Sequence, residues 1–590
     1  MLIAHRDAGI PTRYEHLDIS KEEDHTGLLT RLQQARSWID ECQLEHNCEE
    51  LPKLRSINEG NMISGESLAL MDQAVPELLS LQPLHVSSEK FPPLPQRVLD
   101  LRDFQTRGEL RLFDGSSTRG VYACLSYCWG TQNSCLTTRA TLEHHFKGIP
   151  FDSLPQTYKD AVLVTSNLKI PFLWIDALCI IQDDIGYKDW QEHSAQMVDI
   201  YGNSVVTIAA TSTSNVCEGF LNISGPFVEP FVFQKSSQGH SRFMTAEAPT
   251  PPPLTVYARR LLDHIWLASN KWATKDKIAT KPLWSRGWCF QEEFLSPRVL
   301  GFYGDEMNFQ CREGHHCECG LRHRDPHDTN SMQSMKAILL AEFYSYEPGT
   351  SVNSFWQSII FDYSRRNLTV ATDRLPALSG VARVIQGLFG ARYLAGHWHD
   401  EKFIFSLCWQ AACSTSSAPR FSKYVGPSWS WVSLPAGITR TNPLEDNYTL
   451  VKGTEVLAVE TTLATADKTG AVLGGYLVVR GAFLDVEFVE TAQGPTVRRN
   501  GVDIKFTLDQ QPGPSSSVAN PPRVICWYLC FGDFDDGYRC SWSMILKVIQ
   551  EHPRRICQRI GYQDLWCYKR DSEMAFFKDF RKFIGGIAII

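Results

Sequence analysis

VYACLSYCW (121–129), PFLWIDALCII (171–181) and SVVTIAA (204–210) are the three stretches on which the fold turns. Each is a short, nearly unbroken apolar run, the pattern of a strand covered on both faces. Between the first two, Thr157 with Asp160 reads as a helix start, with Tyr158, Ala161, Val162, Thr165 and Leu168 following along one face. Between the second and third, residues 189–201 put Trp190, Ser194, Met197 and Tyr201 on one stripe. Strand–helix–strand–helix–strand implies right-handed crossovers and an α/β fold: an open, mainly parallel sheet with flanking helices.

Outward from this block the grammar changes. Residues 28–47 have helical spacing, with Leu32, Ala35, Ile39 and Cys42 on one face, and a polar stretch then leads through FPPLPQRVLDL to a strand at 97–101. Further strands are expected at RVLGFY (298–303) and MNFQC (307–311), and residues 333–390 read as mainly helical. Beyond them VKGTEVLAVE, YLVVRGAFLDVEFVE, RVICWYLCFG and SWSMILKVIQ are β-type segments broken by turns. Four regions follow: a mainly helical segment and linker (1–90), an α/β domain (91–330, core 121–211, extended by 283–320), a mainly helical extension (331–424) and a separate β-rich C-terminal domain (425–590).

Composition narrows the function. Hydrophobic residues make up 43% and charged residues 21%, an ordinary globular balance, and the formal net charge of -8 lacks the dense basic surface of a nucleic-acid binder. No apolar run reaches a membrane span of roughly 18 residues, and MLIAHRDAGIPTRYEHLD has no signal-peptide pattern. The 18 cysteines are scattered, which points to reduced thiols and a cytoplasmic or nuclear setting. There is no G-x-x-x-x-G-K-[ST], G-x-S-x-G or H-E-x-x-H motif.

In open α/β sheets ligands bind beyond the carboxyl ends of the strands. If the strands are parallel, one edge gathers Ser126, Trp129, Gly130, Gln182 and Asp183, an aromatic plane beside polar groups that suits a nucleotide or another flat polar ligand. The plainer reading makes Gly130 a turn residue and Asp183 and Asp184 helix caps. Asp176, read as lying inside the second strand, needs a partner and is either a functional acid or a structural anchor. Glu192 and His193 reach the same edge or sit on a solvated helix face. In LWSRGWCFQEEFLSPRVL (283–300), Arg286 and Glu292 form either an anion site or an internal ion pair. Cys311, His315, Cys317 and Cys319, with His316, His323 and His327, are zinc-type ligands, but their spacing fits no common zinc finger, so no metal site is assigned. The set Cys42, His46 and Cys48 ranks lower still, because one helix face cannot present all three.

YACLSYCWG (122–130), GIPFDSLPQTYKDAVLVTSNLKIPFLWIDALCIIQDD (148–184) and DWQEHSAQMVDIYGNSVVTIAA (189–210) resemble, in order, the signatures of the fungal heterokaryon-incompatibility (HET) family. RGWCFQEEFLSPRVLGF, YSRRNLTVATDRLPALSGVA, YLAGHW and PSWSWVS extend the resemblance over roughly residues 30–435. It implies self/non-self recognition and regulated cell death, partners among incompatibility or signalling proteins, and self-association into a homo-oligomer. HET domains are distantly similar to Toll/interleukin-receptor (TIR) domains, which implies a TIR-like or flavodoxin-like sheet and makes NAD a candidate ligand or substrate. In the family pattern a W-x-x-E precedes the Met of the third signature. Here the register is Trp190-Gln191-Glu192-His193, so His193 stands in the acid's place and Glu192 is displaced about 100° around the helix. Glu192, Asp183 or Glu292 would have to act for it.

Overall fold

The computed structural model describes residues 25–46, 48, 91–130, 135–221, 228–233, 254–259, 282–304, 306–318, 336, 352–412, 421–439, 448–491, 494–509, 522–533, 538–552, 554–568, 581–582 and 586–590. Helix α1 (His25–Glu45) buries Leu32, Ala35, Ile39 and Cys42, the face its spacing predicts. Then come β1 (Arg97–Asp100), α2 (Phe104–Arg107), β2 (Arg111–Asp114), β3 (Tyr122–Ser126), α3 (Leu142–Lys147), α4 (Gln156–Asn167), β4 (Phe172–Trp174), α5 (Asp176–Cys179), α6 (Lys188–Gly202) and β5 (Val206–Ala210). The hairpin β6 (Val228–Phe233) and β7 (Leu254–Arg259) is followed by α7 (Gly287–Leu295), β8 (Arg298–Phe302), β9 (Met307–Cys311) and β10 (His315–Cys317).

Eight of these strands form one sheet in the order β10-β9-β8-β5-β3-β4-β1-β2. The four central strands, β8, β5, β3 and β4, are parallel, and the pairs toward both edges are antiparallel. The sheet is therefore mixed, with the expected parallel strands at its centre. From β3 the chain goes to β4 on one side and then to β5 on the other. The carboxyl end of β3 is thus a topological switch point, where an open sheet leaves a crevice.

Two local readings need correction. PFLWIDALCII is not one strand: β4 stops at Trp174, and Asp176 opens the short helix α5, where its Oδ1 accepts a 2.6 Å bond from the Ala177 amide. Asp176 therefore lies just past the strand tip rather than inside the strand. Thr157 makes no side-chain cap for α4; Pro155 precedes the first turn. Asp160 instead accepts from Gln156 Nε2 at 2.7 Å and from the Phe220 amide at 2.6 Å, tying α4 to the loop after β5.

Helices α8 (Val352–Tyr363) and α9 (Pro376–Phe389) come next, and the C-terminal region is β-rich. Its main sheet runs 455–463, 472–480, 587–589, 556–568, 538–550, 524–533, 482–491, 494–499 and 502–505. Ile587–Ile589 pairs antiparallel with the strand 472–480 on one side and parallel with 556–568 on the other. Near residue 425 the secondary structure changes but the core does not break: one contacting set of buried residues includes Leu125, Phe290, Trp409, Trp431 and Trp527. Arg559, 1% exposed, ties the two parts together by donating to Leu407 O (2.8 Å), Trp409 O (2.7 Å) and Asp509 Oδ2 (2.8 Å). Among the described residues no helix is long and apolar enough to cross a membrane.

Candidate functional site

The parallel register brings the ends of β3 and β4 to one edge, and α7 packs against them. Helix α7 is buried on nearly every side; of its residues only Trp288 is partly exposed. Gly287 opens it against Asn367, whose carbonyl accepts the Gly287 amide at 2.7 Å. A Cβ at Gly287 would stand 2.5 Å from Leu368 Cδ2, so a larger residue would push the helix away from its seat. Gly380 on α9 likewise makes room for Gln291, whose Oε1 accepts the Gly380 amide at 3.1 Å.

This packing aims Glu292 at the sheet. Ser126 Oγ, on the last residue of β3, donates to Glu292 Oε2 at 2.5 Å. Burial pushes the Glu292 carboxyl up to about 7, against the opposing pull of the Ser126 hydroxyl. Beside it, Asp176 accepts from Trp129 Nε1 at 2.8 Å and from Tyr127 OH at 2.9 Å. Burial raises its pKa above the ordinary carboxylate value despite those bonds. Tyr127 OH also meets Tyr158 OH at 2.6 Å. Arg286, the residue preceding α7, completes the group. Burial disfavours its charge, but Cys289, Cys128, Glu292 and Asp176 around it hold its pKa above the ordinary arginine value. Arg286 Nε is buried and makes no hydrogen bond within the described residues.

Two carboxyls, a hydroxyl, an indole and a guanidinium therefore converge at the switch point. Such a cluster can hold a proton near neutral pH, stack a flat ring and receive an anion.

The other residues singled out from sequence lie elsewhere or act locally. Gln182 reaches the rim, donating from Nε2 to Asp176 O (3.1 Å) and Ile180 O (3.0 Å), which braces the chain behind Asp176. Gly130 has φ +70° and packs on Asn215, so it is a turn residue next to Trp129. Asp183 is exposed and accepts the Arg139 amide at 2.7 Å. Glu192 is exposed on α6 and pairs with Lys188 at 3.9 Å. His193 is buried in a different group: its Nδ1 lies 2.8 Å from Asp189 O, and burial lowers its pKa. In that group Arg97 Nη2 donates to Asp189 Oδ1 at 2.6 Å, and Asp189 Oδ2 accepts the Ile181 amide at 2.7 Å. Of the four acid–base candidates, Glu292 is the one that meets Ser126.

Cys311 ends β9, and His315 and Cys317 form the ends of β10; Cys319, His323 and His327 lie outside the described residues. Sequence reasoning missed Tyr127, Tyr158 and Cys289 as members of the strand-end group. Tyr127 was findable, because it directly follows Ser126 in the same apolar run.

Residues 122–292 match the family described as Heterokaryon incompatibility protein (HET). The match starts on β3 and ends at Glu292, so it takes in Ser126, Tyr127, Trp129, Asp176 and Arg286 as well. No curated protein and no solved structure matches the chain.

Proposed function

We propose, from the premise that residues 122–292 carry a HET domain, that this chain acts in heterokaryon incompatibility, in self/non-self recognition leading to regulated cell death. The strand-end cluster is its ligand site, and the ligand is a nucleotide of the NAD type. One observation carries this reading: Ser126, Glu292, Trp129, Asp176 and Arg286 converge at the switch point of the parallel strands, with a guanidinium nitrogen left without a partner among the described residues.

The chemistry follows from the groups. Arg286 receives a phosphate, Trp129 offers a ring face, and the Glu292 carboxyl sits near its midpoint of ionisation at neutral pH. An ionised carboxyl beside a glycosidic carbon stabilises an oxocarbenium-like state. Cleavage of NAD at that bond would consume one water and release nicotinamide, ADP-ribose and a proton. Glu292, rather than Glu192 or His193, is the acid assigned to this role.

A second reading has its own support. Both Asp176 oxygens and Glu292 Oε2 already accept from protein donors. Such a group can serve purely as an internal bracket, with the domain acting as a non-catalytic interaction module. Purified full-length chain separates the two. On the first reading, NAD quenches Trp129 fluorescence, nicotinamide is released, and both effects weaken in Arg286→Met while release is lost in Glu292→Gln. Absence of binding and turnover in folded wild type, also when forced to oligomerise, leaves the interaction module.

A further inference from the structure

Beside the first residue of β8, where Arg298 pairs with Cys311, lies a second group of reactive side chains. Cys42, His46, Cys48 and Cys311 place one ligand atom each within 4.8 Å of one another. Tetrahedral zinc with thiolate ligands at about 2.3 Å spaces its sulfurs roughly 3.8 Å apart. His46 Nδ1 already lies 3.3 Å from Cys311 Sγ. We propose that these four residues bind one structural zinc ion, which clamps α1 to the β9–β10 hairpin.

The local chain path explains how C-x3-H-x-C can supply three ligands. Cys42 and His46 are one helical turn apart, and the His46 amide still donates to Cys42 O at 3.0 Å. Helix α1 ends at Glu45, so Cys48 lies beyond the helix and is not bound to a single helix face. Cys311 then arrives from β9, with a separation of 265 residues between it and His46.

Backbone amides face two of the sulfurs. The Gly314 amide donates to Cys311 Sγ at 3.0 Å, and the Arg312 and Glu313 amides bond to Cys48. Amide-to-sulfur bonds of this kind orient a zinc ligand and spread its charge. A Cβ at Gly314 would stand 3.1 Å from His46 Cε1 and 3.7 Å from Cys311 Sγ, so the hairpin turn leaves just the room the imidazole needs.

Charge points the same way. One dication with three thiolates and a neutral imidazole carries a single negative charge. Arg298 and Arg312 are both almost fully buried here. Arg298 Nε donates to Cys42 Sγ at 3.2 Å, and Arg312 Nη1 donates to Cys48 O at 2.8 Å. Guanidiniums set against the sulfur and the carbonyl of two ligand residues suit a centre of net negative charge. Soft thiolates with one imidazole select zinc over hard cations, and four protein ligands leave no open position for catalysis. Each thiol surrenders its proton on binding, so up to three protons leave as the ion enters.

Full-length protein purified without chelator from zinc-supplied cells is expected to carry about one zinc per chain by elemental analysis. Cobalt exchanged into the site should give the thiolate charge-transfer and visible bands of a tetrahedral centre. Zinc should be lost in Cys48→Ser and His46→Ala and retained in the double variant Cys319→Ser/His323→Ala. Chelation of the wild-type protein should expose new thiols to a colorimetric thiol reagent, a readout that needs no variant to fold. Wild-type protein with only a trace of zinc overturns the proposal. So does zinc that survives His46→Ala and Cys48→Ser but disappears with Cys319→Ser, or a disulfide between Cys42 and Cys48 in metal-free native protein. These outcomes are independent of whether the strand-end cluster binds a nucleotide.

Discussion

Replacing Glu292 by Gln should change how stability depends on pH more than it changes the fold. In the folded chain burial raises the Glu292 carboxyl from 4.5 to about 7. The neutral acid is therefore the form the fold prefers. Its contribution is fully present below the unfolded value and is lost as pH rises through about 7. The distance between the two values corresponds to about 3 kcal/mol. Gln keeps the shape, can still accept from Ser126 Oγ, and has no proton to lose. Wild type should thus lose about 3 kcal/mol relative to Glu292→Gln between about pH 4 and about pH 8. Glu293, also pushed up to about 7 by burial, is present in both proteins and cancels from the difference. Urea unfolding of the two proteins across that range measures it, and isotope-edited infrared spectra follow the protonated carboxyl directly. Parallel pH slopes for wild type and variant would refute the account of a carboxyl held neutral at the tip of β3.

Asp176→Leu strands the Trp129 indole, the Tyr127 hydroxyl and the Ala177 amide, and at about 1–3 kcal/mol per buried orphan it should destabilise far more than Asp176→Asn; equal unfolding midpoints would contradict this. Asp189→Ala leaves Arg97 buried without its 2.6 Å partner and should cost about 3–5 kcal/mol, read by denaturant unfolding, with Asp189→Asn milder. Arg559→Ala abandons Asp509, whose side chain is 2% exposed, at a similar cost of about 3–5 kcal/mol. Limited proteolysis of that variant should cut the C-terminal sheet before the α/β region, and an unchanged cleavage pattern would argue against Arg559 as the tie.

The centre of the fold was legible because buried parallel strands need unbroken apolar runs, and 122–126 and 206–210 have them. The antiparallel edges were also written in the chain. Only four residues separate β8 from β9, too few for the crossover that a parallel pair requires. Asp176 was misplaced because periodicity cannot see where a three-residue strand yields to a helical turn. Within the site, Ser126, Trp129 and Arg286 could be named from local pattern, but the choice among Glu192, His193 and Glu292 could not. It depends on how α6 and α7 are rotated against the sheet, and that rotation is set by contacts such as Trp190 on Trp288 and Gln291 on Gly380. The gathering of His46 and Cys48 with Cys311 was hidden for a related reason: it links a helix end to a hairpin across most of the α/β region.

The strand Ile587–Ile589 sits between two longer neighbours in its sheet rather than at an edge. On the ribosome, 472–480 and 556–568 are therefore made well before the rung that joins them. Until residue 589 has left the exit tunnel, both present open backbone edges, which other nascent chains can pair with. Completion of this sheet therefore waits on residues 587–589, which are made after its other strands. A chain lacking 587–589 would keep the α/β sheet but leave the C-terminal sheet unsealed and prone to aggregation, and cellular quality control would be expected to remove it.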